Sequence, residues 1–190
     1  MANEWFVLSK NQEYLEMSGR TATHRHGPSF PARILVEKRM LRGRIFDWGC
    51  GRGLTDVNFF IENGFEADGW DPIHAPDSPP ESFPPHRFDW VHCAYVINTI
   101  PNIGLRNDIL KAIVEFLPPG GNLSLAVRSE SEIRRKSQPG WEQEGDGWIT
   151  CQGTFQKGFT VEELTRLVAL FFDNVVVISR EPILVVANKK

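Results

Sequence analysis

The sequence predicts an α/β protein, a doubly wound and mostly parallel sheet that closes with a C-terminal antiparallel hairpin. Short apolar runs alternate with amphipathic stretches between residues 44 and 127, and a glycine-rich turn at 49–53 joins the first run to the stretch after it. The last two β-branched runs are only four residues apart, too close for a helical crossover. Residues 44–47 (RIFD) and 66–71 (EADGWD) read as short buried strands bounded by Gly43, the glycine turn and Pro72. Between them, residues 55–63 carry Val57, Phe60 and Ile61 and stop before Gly64, which suits a left-handed helix end. Residues 71–85 hold six prolines, which forbid a helix or central strand and leave a surface loop. Residues 88–96 (FDWVHCAYV) are a third strand. Residues 105–117 are a helix with apolar positions at 105, 109, 110, 113, 114, 116 and 117. Residues 122–127 (NLSLAV) are a fourth strand behind Pro118-Pro119-Gly120-Gly121. Thr160 and Glu163 have capping-box spacing for a helix ending near Phe171, and residues 175–178 and 183–187 form the hairpin.

A chain of 190 residues, 41% hydrophobic and 24% charged, suits one soluble domain over 1–190, with an N-terminal extension and helix at 1–43. No run approaches the roughly 20 apolar residues that span a bilayer, and the start lacks a signal-peptide pattern, so a cytoplasmic protein without a membrane partner is expected. Cys50, Cys93 and Cys151 are an odd, widely spaced set; reduced thiols and no metal site follow. The net charge of −3 excludes a chain that coats nucleic acid non-specifically and gives no indication of a nucleic-acid partner. It leaves room for a local patch: residues 20–44 carry seven Lys or Arg against Glu37 alone, a solvated helix face in the simpler reading.

Asp47-Trp48-Gly49-Cys50-Gly51-Arg52-Gly53 stands between the first strand and its helix. There glycines let the chain turn sharply and let a ligand lie against the backbone. The pattern is D-x-G-x-G-x-G, not the G-x-G-x-x-G that seats a pyrophosphate on a helix N-terminus. Asp71 ends the next strand, where a carboxylate takes the two hydroxyls of a ribose. The plain alternatives are a ligand-free tight turn and a turn aspartate before Pro72.

The motifs IFDWGCGRG, ADGWDP, FDWVHCAYVIN and FLPPGGNLSLAV, with the terminal hairpin, resemble class I S-adenosylmethionine-dependent methyltransferases over residues 44–190. Three further segments, TATHRHGPSFPARIL, VINTI and DGWITCQGTFQKGFTVEEL, resemble methyltransferases associated with DNA phosphorothioation clusters. The resemblance implies the Rossmann-like class I methyltransferase fold with S-adenosyl-L-methionine as cofactor. It places Asp47, Gly49, Cys50, Gly51 and Gly53 under the methionine and ribose, Asp71 on the ribose hydroxyls, Pro72 and Ile73 near the adenine, and Ala94 and Tyr95 near the methyl group. The sequence departs from the family between Asp71 and Phe88, where the prolines leave no room for the usual helix and strand; the third strand of the family's fold is reduced or missing here.

Methyl transfer from a sulfonium needs mainly alignment and exclusion of water. Where the acceptor needs a base, His24, His26 and Tyr95 are the candidates by chemical type, with a plain loop and core packing as the alternatives. Asn98-Thr99-Ile100-Pro101 replaces the N-P-P-Y-like tetrapeptide of base-amino methyltransferases, which disfavours that route. Residues 130–158 read either as a lid over the acceptor entrance or as a solvated loop. With Arg128, the Arg134, Arg135 and Lys136 side chains are placed to meet an anionic acceptor, and Trp5 and Phe6 could close the site from the other side. The acceptor itself is unidentified. A nicotinamide-dependent oxidoreductase shares the strand, glycine turn and acid, and a non-catalytic cofactor-binding module of a DNA-modification system needs no base.

Overall fold

A computed structural model describes residues 12–190. Helix α1 (Gln12–Gly19) and helix α2 (Phe30–Glu37) precede the first strand. Ser29 caps α2 by accepting from the Ala32 amide, and Pro31 fits the first turn because that position needs no amide donor. Then come β1 (Ile45–Trp48), α3 (Thr55–Glu62) and β2 (Ala67–Trp70). Next are β3 (Trp90–Ala94), α4 (Ile103–Phe116), β4 (Asn122–Val127) and α5 (Glu130–Lys136). Three short strands follow, β5 (Glu142–Glu144), β6 (Gly147–Ile149) and β7 (Phe155–Gln156), then α6 (Val161–Ala169) and the hairpin β8 (Phe172–Arg180) and β9 (Ile183–Lys189).

The main sheet runs β2-β1-β3-β4-β9-β8, with β2, β1, β3 and β4 parallel and β9 antiparallel to both β4 and β8. This is the expected mixed α/β sheet. Because β1 lies between β2 and β3, the direction of winding reverses there, and a crevice opens at the carboxyl ends of β1 and β3. From β2 to β3 the proline-rich chain makes one 3-10 turn, Pro80–Ser82, and a single bridge from Asp71 to Ala75, so β2 is the outer strand.

Alternation along each strand divides the core. Phe46, Trp48, Val91, Cys93, Leu123, Leu125 and Val185 pack under α4 and α6, while Ile45, Trp90, Ala126 and Leu184 meet α2 and α3. Cys50 and Cys93 are buried, Cys151 is exposed, and all are free thiols. Among the described residues no helix is long and apolar enough to cross a membrane.

Two expectations are corrected. Residues 130–158 are not a structureless loop: Ser129 and Glu132 form a reciprocal capping box on α5, and β5-β6-β7 make a small antiparallel sheet. At α6 the expected box is half made. Thr160 accepts from the Glu163 amide, but the Glu163 carboxylate goes to Lys157 Nζ at 2.8 Å. The buried Arg106 of α4 fastens the small sheet with a two-point ion pair to Asp146, at 2.6 and 2.8 Å, between the rings of Phe155 and Phe159. Trp5 and Phe6 lie outside the described residues.

Candidate functional site

A cavity of about 360 Å³ opens at the crevice, between the glycine turn, the ends of β2, β3 and β4, and the segment that follows α1. The turn is held by the Gly49 and Cys50 amides, which both donate to the Trp70 carbonyl, at 2.8 and 3.2 Å. Gly51 adopts φ 66°, ψ −154°, a conformation open in practice only to glycine. A Cβ built there meets only the Ala22 methyl, at 3.8 Å, so the turn presents bare backbone to the cavity. A Cβ on Gly49 would instead strike Val96 at 2.3 Å; that glycine serves packing.

Of the residues expected to hold a cofactor, Gly49, Cys50, Gly51, Asp71, Pro72, Ile73, Ala94 and Tyr95 line this cavity together. Asp47 and Gly53 do not. Gly53, at φ 79° and ψ 9°, shapes the turn into α3 from outside the cavity. Asp71 already has partners: Oδ1 accepts from the Ile73 and His74 amides at 3.0 and 2.9 Å, and Oδ2 from the Gly51 amide at 3.2 Å. The carboxylate thus ties the proline-rich chain to the glycine turn, and Oδ2, with one donor, keeps capacity for another.

Asp47 belongs to a polar row beneath the turn that sequence reasoning missed. It pairs in register with His92, and His92 with Ser124, so the three side chains line one face of adjacent strands. Asp56, at the start of α3, closes the row: it accepts from the Ser29 amide at 2.7 Å and from Arg25 at 2.9 Å. His92 Nδ1 meets Ser124 Oγ at 2.9 Å, while its Nε2, 4.0 Å from Asp56, and one oxygen of Asp47 have no hydrogen-bond partner. Burial, with the nearby Asp56 charge, holds the Asp47 carboxyl well above the usual range, opposed by Arg25. Burial likewise lowers His92 to about 4, leaving a neutral imidazole.

His24 and His26 stand on the surface with their rings stacked at 6.0 Å, outside the cavity lining; Arg25 between them turns inward. Tyr95 sits at the end of β3 with φ 63°, which turns the chain sharply at the cavity wall. Burial raises its hydroxyl to about 12, so at neutral pH it keeps its proton and does not serve as a base. Arg128, at the end of β4, lies 5.0 Å above the Tyr95 ring and donates to Glu132 at 3.2 Å. It lines the cavity, whereas Arg134, Arg135 and Lys136 are exposed on α5 away from it, with Arg135 paired to Glu181. Asn98 and Gln156 complete this wall. Asn98 Oδ1 has no partner, and the Asn98 and Arg128 carbonyls accept from the Lys157 and Phe159 amides at 2.8 and 2.9 Å. No spacing rule in the sequence brings Gln156 to Asn98; the small sheet does.

The family model described as methyltransferase domain matches residues 13–170. A comparison with curated proteins gives no significant match. Among solved structures, the 1,6-didemethyltoxoflavin N1-methyltransferase of Burkholderia thailandensis was solved with 1,6-didemethyltoxoflavin and S-adenosylhomocysteine bound. It is 18% identical, with a TM-score of 0.58 over 84% of this chain and 76% of its own. An S-adenosylmethionine-dependent methyltransferase from Mesorhizobium loti is 17% identical, with a TM-score of 0.54 over 83% of this chain and 98% of its own. For one from Methanosarcina mazei the values are 16%, 0.55, 81% and 96%. At such identities the likeness is one of fold.

Proposed function

Because the chain belongs to the methyltransferase-domain family, we propose that it transfers the methyl group of S-adenosyl-L-methionine to an acceptor entering beside Tyr95 and Arg128. The observation that carries this reading is the bare face of Gly51, open to the cavity and joined through its amide to Asp71 at the end of β2. When bound, the cofactor supplies an activated methyl on a sulfonium. The residues present fit it: Gly49 to Gly51 would lie under its methionine and ribose, Asp71 Oδ2 would accept a ribose hydroxyl, and Pro72 and Ile73 would flank the adenine. Ala94 and Tyr95 would stand nearest the methyl group, with Trp48 and Trp70 helping to exclude water. The chain's task is alignment, since neither surface histidine reaches the cavity and the Tyr95 hydroxyl stays protonated.

The nearer resemblance to methyltransferases of DNA phosphorothioation clusters would place the reaction in a DNA-modification setting, and it rests on the three segments quoted for it. Calorimetric titration tests the cofactor. S-Adenosylmethionine and S-adenosylhomocysteine should each bind once per chain, in competition, while NADH gives no heat. Binding of NADH in place of both would overturn the reading.

A further inference from the structure

Starting from that reading, we propose that the acceptor is a carboxylic acid, held through its carboxylate by Arg128, and that a carboxylate oxygen receives the methyl group. Three arginines line the cavity, and their surroundings differ. Arg25 pairs with the fully buried Asp56 at the start of α3, and Arg52 is exposed on the glycine turn, on the cofactor side. Arg128 ends β4 on the opposite wall, its guanidinium carbon 5.0 Å from the centre of the Tyr95 ring and one nitrogen on Glu132. The Tyr95 ring and the bond to Glu132 hold the guanidinium in place, and its N–H groups not used by Glu132 belong to a planar fork that suits a planar carboxylate. A phosphate dianion would call for several cations or a nest of amides; this wall offers one cation beside the neutral Asn98 and Gln156.

The reacting atom follows from the proton balance. Among the described residues the non-arginine titratable groups lining the cavity are Cys50, Asp71 and Tyr95. Burial keeps the Cys50 thiol and the Tyr95 hydroxyl protonated, and Asp71, with three amide donors, has its remaining capacity assigned to the ribose at the end of β2. An alcohol or an ammonium would therefore find no group to take its proton. A carboxylate needs none: its oxygen forms the new C–O bond with its own lone pair, the C–S bond breaks with its electron pair going to sulfur, and no proton leaves. The products are a neutral methyl ester and a neutral thioether. The ester no longer pairs with Arg128, so the same contact that selects the acid releases the product.

The test uses the full chain saturated with S-adenosylhomocysteine and a panel of short aliphatic and aromatic carboxylic acids, with and without a hydroxyl, each paired with its primary amide. Acids should raise the melting temperature and the amides should not. Arg128→Gln should abolish the response to acids while binding S-adenosylhomocysteine as tightly as the wild type, which also certifies that the variant is folded. With S-adenosylmethionine, the acids that bind should yield product that releases methanol in alkali, and Arg128→Gln should lower kcat/KM by about a hundredfold, the loss expected for a charge-assisted pair. An absent response to every acid, an equal response to the amides, an undiminished Arg128→Gln or an alkali-stable product would each overturn the proposal. Failure of S-adenosylhomocysteine to bind the wild type would instead overturn the cofactor reading on which it stands.

Discussion

Asp47 illustrates how far one residue's part can be read before its neighbours are known. The motif D-x-G-x-G-x-G marks it as a residue under the ligand, whereas the fold buries it at 2% exposure beside His92 and Asp56 and keeps it off the cavity wall. In the unfolded chain this carboxyl titrates in the ordinary range; in the fold its affinity for the proton is raised. As pH rises above that ordinary range, the unfolded chain loses a proton that the folded chain keeps, and stability falls. Asparagine cannot titrate, so Asp47→Asn should melt higher than wild type at neutral pH, with the advantage disappearing in acid. Melting curves of the ligand-free protein across that interval check this; a difference independent of pH would refute it. Asp71 was legible as an acid at a strand end, but its three amide donors depend on a turn no local pattern announces. Asp71→Asn should therefore lower both ligand-free stability, by about 1 kcal/mol, and cofactor affinity, by roughly tenfold to a hundredfold. It should also lose most of the wild-type discrimination against the 2′-deoxyribose analogue, measurable by calorimetry.

Elements with one strong period were readable, and elements made by distant partners were not. Strand β4 matches its apolar run residue for residue, and α4 lies within two residues of its pattern because a buried face fixes the spacing. Strands β5 to β7 have little apolar pattern, and β5 is fully exposed. They are held to the core by distant partners, Asp146 on Arg106 forty residues away above all. Asp146→Ala would leave a guanidinium at 1% exposure without its anion, and the expected loss is about 2 kcal/mol, since Asp146 itself is partly in solvent. Limited proteolysis should then cut within 137–158, and unaltered protection would show that the small sheet is held elsewhere. Caps differ in the same manner. Ser129 has its reciprocal partner while Thr160 has lost its own to Lys157, so Ser129→Ala should destabilise the chain more than Thr160→Ala, by a total of about 1 kcal/mol.

For the molecule as a whole, the mostly parallel sheet with its closing hairpin and the reduced third strand of the family were both visible in the sequence, the second because six prolines cannot be threaded through a central strand. What replaces the missing wall was not visible. The segment from α1 to α2 crosses there. The Gly19 carbonyl accepts from His74 Nε2 at 2.8 Å, Ser18 and Thr99 share a bond of 2.6 Å, and Arg20 donates to the Gly153 carbonyl at 3.1 Å. Three parts of the chain, the proline-rich loop, the turn after β3 and the small sheet, are thereby fastened to this segment over one opening. If a ligand of the glycine turn leaves through this opening, some of these bonds must open first, and its residence time should follow the strap as well as its own contacts. Turnover would then be timed by departure of the spent donor, with bond making the faster event. Replacing Ser18 and Arg20 by alanine should speed release of S-adenosylhomocysteine in stopped-flow displacement while changing its arrival little, and a matching acceleration of the steady-state rate would mark the strap as the molecule's clock.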